Sequence, residues 1–383
     1  MVIYKEKDSG SDQGAKPDIA KVIAVLEAAQ KMLKDPSISG SEVKEYVRRE
    51  LSGMRRRPSA ASGGLDDDPD LFGAILPEFL KWFLIDSKKD EAESREAVES
   101  KVDQAYCSSL LERLFSKGLT ISGNQFAGMA EFLYKKMNGQ YKTMSGGKEL
   151  DKEGFECALI EYINGVRGVE GGRYKGLTAS KDAMLYIDYD RESSVKRMVL
   201  LNFLTGGVEL ACKVAHGSGS DPEKTGFVQN VLNQSDKSTS LRGFFFTGLT
   251  HNGDKTGFYW WGNEKGSDPK ISNYLSYTDR KIIHIASYVN DDNDEISGRS
   301  NGCPAVSKDS FNALQSKGYF STQEIKNANK VGNDIMDGNW GDYLGEKPKL
   351  MGCYVHYTAD GQFGKYKSES PYLKTDFISK SEF

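Results

Sequence analysis

No CxxC pair occurs among the five cysteines (Cys107, Cys157, Cys212, Cys303, Cys353), and their odd number fits neither a closed disulfide framework nor a zinc knuckle. At least one thiol is therefore unpaired. A surplus of one charge is missing too: 51 Lys+Arg against 55 Asp+Glu leave a net charge of −4, so no global basic field exists to hold a polyanion, and no nucleic-acid partner is expected. No apolar run approaches the ~20 residues that span a bilayer. The nearest, Phe79 to Ile85, is broken by Lys81, so no transmembrane segment is expected. The opening residues Met1 to Lys7 turn polar at once, without the basic, apolar, small-residue order of a signal peptide, which leaves three readings: the chain stays in the cytoplasm, leaves by a non-classical route of export or delivery, or is a processed form. No P-loop, HExxH or GxGxxG is present, and the acidic run Asp291 to Glu295 lacks the glycine a calcium loop needs at its sixth position, so neither cofactor nor metal is expected.

What is present is the composition of a folded chain. It is 38% hydrophobic with 40 Gly, 19 Tyr and 18 Phe, more glycine and aromatics than an all-helical protein carries, and 383 residues leave room for two or three domains. Residues 1–18 are polar and Gly/Ser-rich and read as a disordered tail. Helical spacing then runs from an Asp18 cap through Ile19, Val22, Leu26 and Leu33, and again from Ser41 through Val47 and Leu51. Residues 52–70, with Arg55 to Arg57 and Asp66 to Asp68, hold almost nothing to bury and read as a linker. Helical periodicity resumes over 71–84, 102–115, 124–137 and 151–166, giving a helical domain over 19–170. Five glycines between Gly165 and Gly176 mark a loop-like boundary.

Beyond it the period shortens to that of strands. The β-rich runs are 184–189, 197–203, 208–215, 243–248, 256–261, 281–285 and 352–357, with a hairpin turn at Leu204 to Gly207 and one helix over 307–315. The expected class is α+β: an N-terminal helical region followed by a mainly β domain over 180–357, with an insertion at 316–350 and a C-terminal extension at 358–383.

Cys107, Cys157 and Cys212 sit inside helix or strand patterns, where a free cysteine is usually a small buried hydrophobe. Cys303 lies instead in the polar turn Gly298-Arg299-Ser300-Asn301-Gly302-Cys303-Pro304, just before a helix start. A thiol there is expected to be exposed, with nearby backbone N–H groups and Arg299 favouring the thiolate. Gly302 would let its own amide and the next approach an oxyanion. Such a nucleophile needs a base, and only four histidines exist. His284 ends the apolar run Lys281-Ile282-Ile283, His216 ends another strand, His251 sits in a turn, and His356 alternates within the last strand.

Ile283-His284, fifteen residues, then Ser300-Asn301-Gly302-Cys303 resembles the active-site signature of the YkuD-type L,D-transpeptidases. With Val214-Ala215-His216-Gly217, Leu241-Arg242-Gly243-Phe244-Phe245, Pro304-Ala305-Val306 and the closing run Cys353 to Tyr357, the stretch 184–357 is similar to the murein L,D-transpeptidase catalytic-domain-like branch. Asn301 stands where the general signature has histidine, and Trp260-Trp261-Gly262-Asn263 replaces a more regular stretch.

The resemblance implies a β-rich catalytic domain acting on peptidoglycan stem peptides, with the periplasm or cell envelope as its site of action. It implies Cys303 as nucleophile, His284 as its proton partner oriented by a backbone carbonyl near Ile285, and the amides of Gly302 and Cys303 at the oxyanion. Arg299, Ser300 and Asn301 become substrate-binding candidates, and His216 either a substrate contact or a group that supports the site from behind. The acceptor, whether an amine, water or a D-amino acid, stays open. So does the role of the helical half, which resembles nothing familiar and is read as a partner-binding, delivery or capping module. Two other readings remain: a non-catalytic murein-binding or structural protein that keeps the fold, and a cysteine peptidase or amidase acting on another amide.

Overall fold

The computed structural model describes residues 19–55, 95–116, 119–170, 178–231, 240, 242–251, 257–262, 282–293, 295, 300–322, 349–370 and 373–379. The chain divides into two compact units, Met1–Ser109 and Leu110–Phe383.

In the first unit, α1 (Ile19–Lys34), α2 (Gly40–Arg55) and the start of α3 (Arg95–Phe115) share one apolar cluster. Val22, Leu26, Ala29 and Leu33 recur at helical spacing and meet Val43, Val47, Leu51, Val98 and Val102, all buried. Ser39 starts α2 with a capping box: its hydroxyl accepts from Glu42 N–H, and its own N–H donates to the Glu42 carboxylate at 2.7 Å. The backbone of α2 continues through Arg55, so helix replaces the first four residues of the expected linker. The expected tail over 1–18, the rest of the linker and the expected helix over 71–84 lie outside the described residues.

The second unit is built on an eight-stranded mixed sheet, completing an α+β architecture. Its strands are β2 (Thr178–Asp188), β3 (Met198–Asn202), β4 (Gly207–Cys212), β5 (Gly243–His251), β6 (Gly257–Gly262), β7 (Ile282–Ile285), β8 (Ala305–Val306) and β9 (Lys349–His356). They lie in the order β4-β3-β2-β9-β5-β6-β7-β8, with β2/β9 and β7/β8 parallel and the other pairs antiparallel. The β3–β4 hairpin turns on Gly206 at φ +62°. The last strand occupies the middle of the sheet.

Both faces of the central strands are covered, which is why they read as nearly continuous apolar runs. Leu185, Ile187, Leu200, Phe245, Cys353 and Val355 point to one face and pack with Phe311 and Leu314, which lie in the helix Lys308–Ser316. The opposite face, with Tyr186, Phe244 and Tyr354, lies against the helix Lys152–Glu170. That close approach depends on two helical glycines eleven residues apart. A Cβ at Gly154 would stand 2.5 Å from the Tyr186 hydroxyl, and one at Gly165 would stand 2.4 Å from Phe244 Cε1. Glycine inside a helix costs roughly 1 kcal/mol against alanine, and the ring packed beneath Gly165 accounts for its presence. Gly165 and Gly168 therefore lie inside a helix that runs to Glu170, not in the expected loop.

The helices are numbered in chain order: α4 (Gly123–Met144), α5 (Lys152–Glu170), α6 (Lys308–Ser316) and α7 (Phe363–Glu369). The helical stretch expected as one domain over 19–170 is thus divided, because α4 and α5 belong with the sheet. The C-terminal extension is ordered over 358–370 and 373–379: it forms α7, and β10 (Ile378–Ser379) pairs in parallel with β1 (Ile121–Ser122). No described helix is long and apolar enough to cross a membrane.

Candidate active site

The parallel pair β7/β8 brings the two sequence candidates to one edge of the sheet. His284 is the register partner of Ala305, two residues after Cys303, and the His284 N–H donates to the Pro304 carbonyl at 3.1 Å. Across from β8, Ala215 bridges Ala305 through two backbone hydrogen bonds of 2.8 and 3.3 Å. Ala215, Ala286, Val289 and Ala305 close a small apolar cluster beneath the turn.

The imidazole of His284 is 4% exposed, and its Nδ1 lies 3.0 Å from the Ile285 carbonyl. A carbonyl can only accept, so Nδ1 carries the hydrogen and Nε2 is the basic nitrogen. No carboxylate is needed to set the tautomer.

The cysteine turn is held by main chain and one hydroxyl. Ser300 N–H donates to the His216 carbonyl at 2.9 Å, and Ser218 N–H donates to the Ser300 carbonyl at 2.8 Å. The Ser300 hydroxyl accepts from Gly302 N–H at 3.0 Å and donates to the Cys303 carbonyl. Ser300 is only 4% exposed, so its hydroxyl braces the turn where the sequence suggested a substrate contact. Gly302 has φ +112°, a left-handed backbone that glycine adopts without penalty. Its amide is already bonded inward, to Ser300. Asn301 is exposed at the tip of the turn, while Arg299 lies outside the described residues.

Cys303 is 7% exposed, not the open thiol expected of a polar turn. The main-chain bonds to 215–218 draw it down against the sheet. The remaining thiols are also buried. Burial pushes Cys157 up to about 12 and raises Cys212 and Cys353 as well, so these three stay protonated at neutral pH.

Of the two roles expected for His216, substrate contact or support behind the site, its position fits the second: the ring is fully buried. Its Nδ1 accepts from Arg197 Nη2 at 2.7 Å, and Nε2 faces Asp221 Oδ2 at 3.4 Å. Burial lowers Arg197 to about 10, still protonated at neutral pH; Arg197 also donates to the Val214 carbonyl and lies over the Tyr189 ring. Burial opposes the Asp221 charge, but the amides of Thr225 and Gly226 and the Thr225 hydroxyl hold its pKa below the usual carboxylate range. His216 serves the turn through its backbone carbonyl.

Tyr288 escaped the sequence reading. It follows the His284 strand, between the buried Ala286 and Val289, and is 43% exposed. Its hydroxyl is pushed above the ordinary value first by partial burial and then by the charge a Cys303 thiolate carries, which puts it within electrostatic reach of the sulfur. Arg197 and Ser240, whose hydroxyl accepts from Gly217 N–H, were illegible for another reason: each supports the strand end at Val214 to Gly217 from seventeen to twenty-three positions away.

Elsewhere, a cleft of about 370 Å³ is walled by residues that include Lys148, Lys196, Lys213, Asp291 and Asn293, and neither His284 nor Cys303 lines it. Asp188, Asp190 and His356 lie within 4.8 Å of one another, the spacing of a metal site. Their oxygens already have donors: Asp190 accepts from the amides of Thr358 and Ala359 and the Thr358 hydroxyl, and Asp188 from Arg191 Nε at 2.7 Å. The cluster is a loop cap.

No curated protein and no solved structure matches the chain. A family model does match, over residues 162–320, less than half of the chain and ending before β9. The model is that of the L,D-transpeptidase catalytic domain, and the stretch similar to it contains both His284 and Cys303.

Proposed function

We propose that the domain is a cysteine acyltransferase acting on peptidoglycan stem peptides, with Cys303 as nucleophile and His284 as proton carrier. The supporting observation is the β7/β8 register, which sets His284 beside the Cys303–Pro304 backbone with its Nδ1 hydrogen committed to the Ile285 carbonyl. The Cys303 thiolate, paired with the His284 imidazolium, attacks the carbonyl on the L-centre side of the bond between the diamino acid at stem position three and D-Ala at position four. Negative charge moves to the carbonyl oxygen, which the amide of Cys303 would face. The tetrahedral centre collapses, the C–N bond breaks, and His284 Nε2–H protonates the departing amine. A thioester on Cys303 remains. An acceptor then loses its proton to His284 and displaces the sulfur: another stem gives a crosslink, water gives L,D-carboxypeptidase activity, and a D-amino acid gives exchange.

The exposed Asn301 and Tyr288 are the side chains placed to meet the stem peptide, Arg299 remains a candidate for its carboxylate, and the helical unit is proposed to bind a partner or deliver the domain to the wall. Incubation with purified tetrapeptide muropeptides, read by mass spectrometry, tests the reading. Released D-Ala, or an exchanged or crosslinked product, is expected from the wild type and from neither Cys303→Ala nor His284→Ala. Binding without turnover would replace the reading with a murein-binding protein, and cleavage of a different bond with a peptidase or amidase.

A further inference from the structure

The loop between His284 and Cys303 carries the acidic run Asp291 to Glu295. Its first carboxylate is committed to the neighbouring segments. Asp291 Oδ1 accepts from the Lys213 backbone N–H at 2.6 Å, and Oδ2 accepts from the hydroxyls of Ser310, at 2.7 Å, and Ser307. Ser307 is the N-cap of α6, its hydroxyl also accepting from Ser310 N–H. The Lys213 ammonium, on a residue 2% exposed, turns into the same loop and donates to the Asn293 carbonyl, to Asn293 Oδ1 at 3.2 Å and to the Glu295 carbonyl at 3.2 Å. It sits among loop oxygens as a built-in cation.

These bonds join three segments that each hold part of the site. Lys213 lies two residues before Ala215, which bridges Ala305, and three before His216, whose carbonyl holds Ser300. Asp291 lies seven residues after His284, and Ser307 four after Cys303. We propose that Lys213 and Asp291 are positioning residues for the Cys303–His284 pair: their clasp closes a triangle whose other sides are the Ala215–Ala305 bridge and the β7/β8 pairing. Without it the two chain segments that flank the pair can slide against each other, and the imidazole holds the thiolate less well. This rests on the proposed roles of Cys303 and His284.

The test measures the pH profile of iodoacetamide alkylation at Cys303, resolved from the other four cysteines by peptide mass spectrometry, on the full chain. Wild type and His284→Ala are compared first; superimposed profiles would overturn the proposed function itself. Given a His284-dependent profile, Asp291→Asn and Lys213→Met are expected to move its midpoint up by about one pH unit and to slow alkylation about tenfold at pH 7, with an unchanged far-UV spectrum. Profiles that coincide with wild type in both variants would overturn the clasp while leaving the pair intact. Should either variant fail to fold, Ser310→Ala, which removes one bond of the clasp, is expected to shift the midpoint the same way by a smaller amount, and its coincidence with wild type would count equally against the proposal.

Discussion

At the scale of single residues, a backbone at φ +112° tolerates a side chain only with strain, and Gly302 holds that angle one residue before the thiol. Gly302→Ala is expected to cost about 1–3 kcal/mol of stability and to lower turnover more than substrate binding, because the carbonyl of residue 302 and the amide of Cys303 rotate together. Urea melts and steady-state kinetics on a muropeptide separate the two effects. The same scale predicts where electrophiles react. With Cys157 pushed up to about 12 and Cys212 and Cys353 also raised by burial, a carbapenem or iodoacetamide near neutral pH should leave its adduct on Cys303 and on none of those three. Preferential labelling of Cys157 in a peptide digest would contradict this.

At the scale of elements, the fit of α5 onto the sheet rests on absent side chains. Gly165→Ala would drive a methyl group toward Phe244, 2.4 Å away, and is expected to destabilise the domain by about 1–3 kcal/mol despite alanine's better helix propensity. Thermal melts of this variant and of Gly128→Ala, where nothing lies within 4 Å, should move in opposite directions. The contrast also explains which elements could be read in advance. Amphipathic helices such as α1, α2 and α4, and strands such as β3 and β7, declare themselves through period and through turn residues like Gly206. Gly165 read as a loop because what sanctions it, an aromatic ring from a strand about eighty residues away, leaves no local trace. The site divides similarly. His284, Gly302 and Cys303 stood out by chemistry and spacing, whereas Arg197, Asp291 and Lys213 act through partners as far as nineteen to eighty-two positions away. His216 and Ser300 also stand out by type and position, and burial fits both to a supporting role.

For the whole molecule, one buried carboxyl couples stability to pH. Glu161 on α5 is fully buried, accepts from the hydroxyls of Tyr366 and Ser370 on and just after α7, and is raised by burial to about 7. Because its folded pKa exceeds the unfolded one, the stabilisation is complete below about pH 4.5 and is lost as pH rises through 7, on the order of 3 kcal/mol in all. The melting temperature should fall between pH 5 and 8, and Glu161→Gln should flatten that slope; an equally steep slope in the variant would assign it to another group. The strand order has a consequence of its own. β9 is reached only at Lys349, yet it lies between β2 and β5, with four strands beyond it on one side and three on the other. On a ribosome, everything made earlier must wait as two half-sheets with raw inner edges, held together at the far end by the bonds from residues 213–218 to the cysteine turn and its flanks. A chain cut after residue 348 should therefore emerge as a sticky, inactive pair of fragments on one backbone, and supplying the missing tail as a separate peptide should restore solubility before it restores turnover.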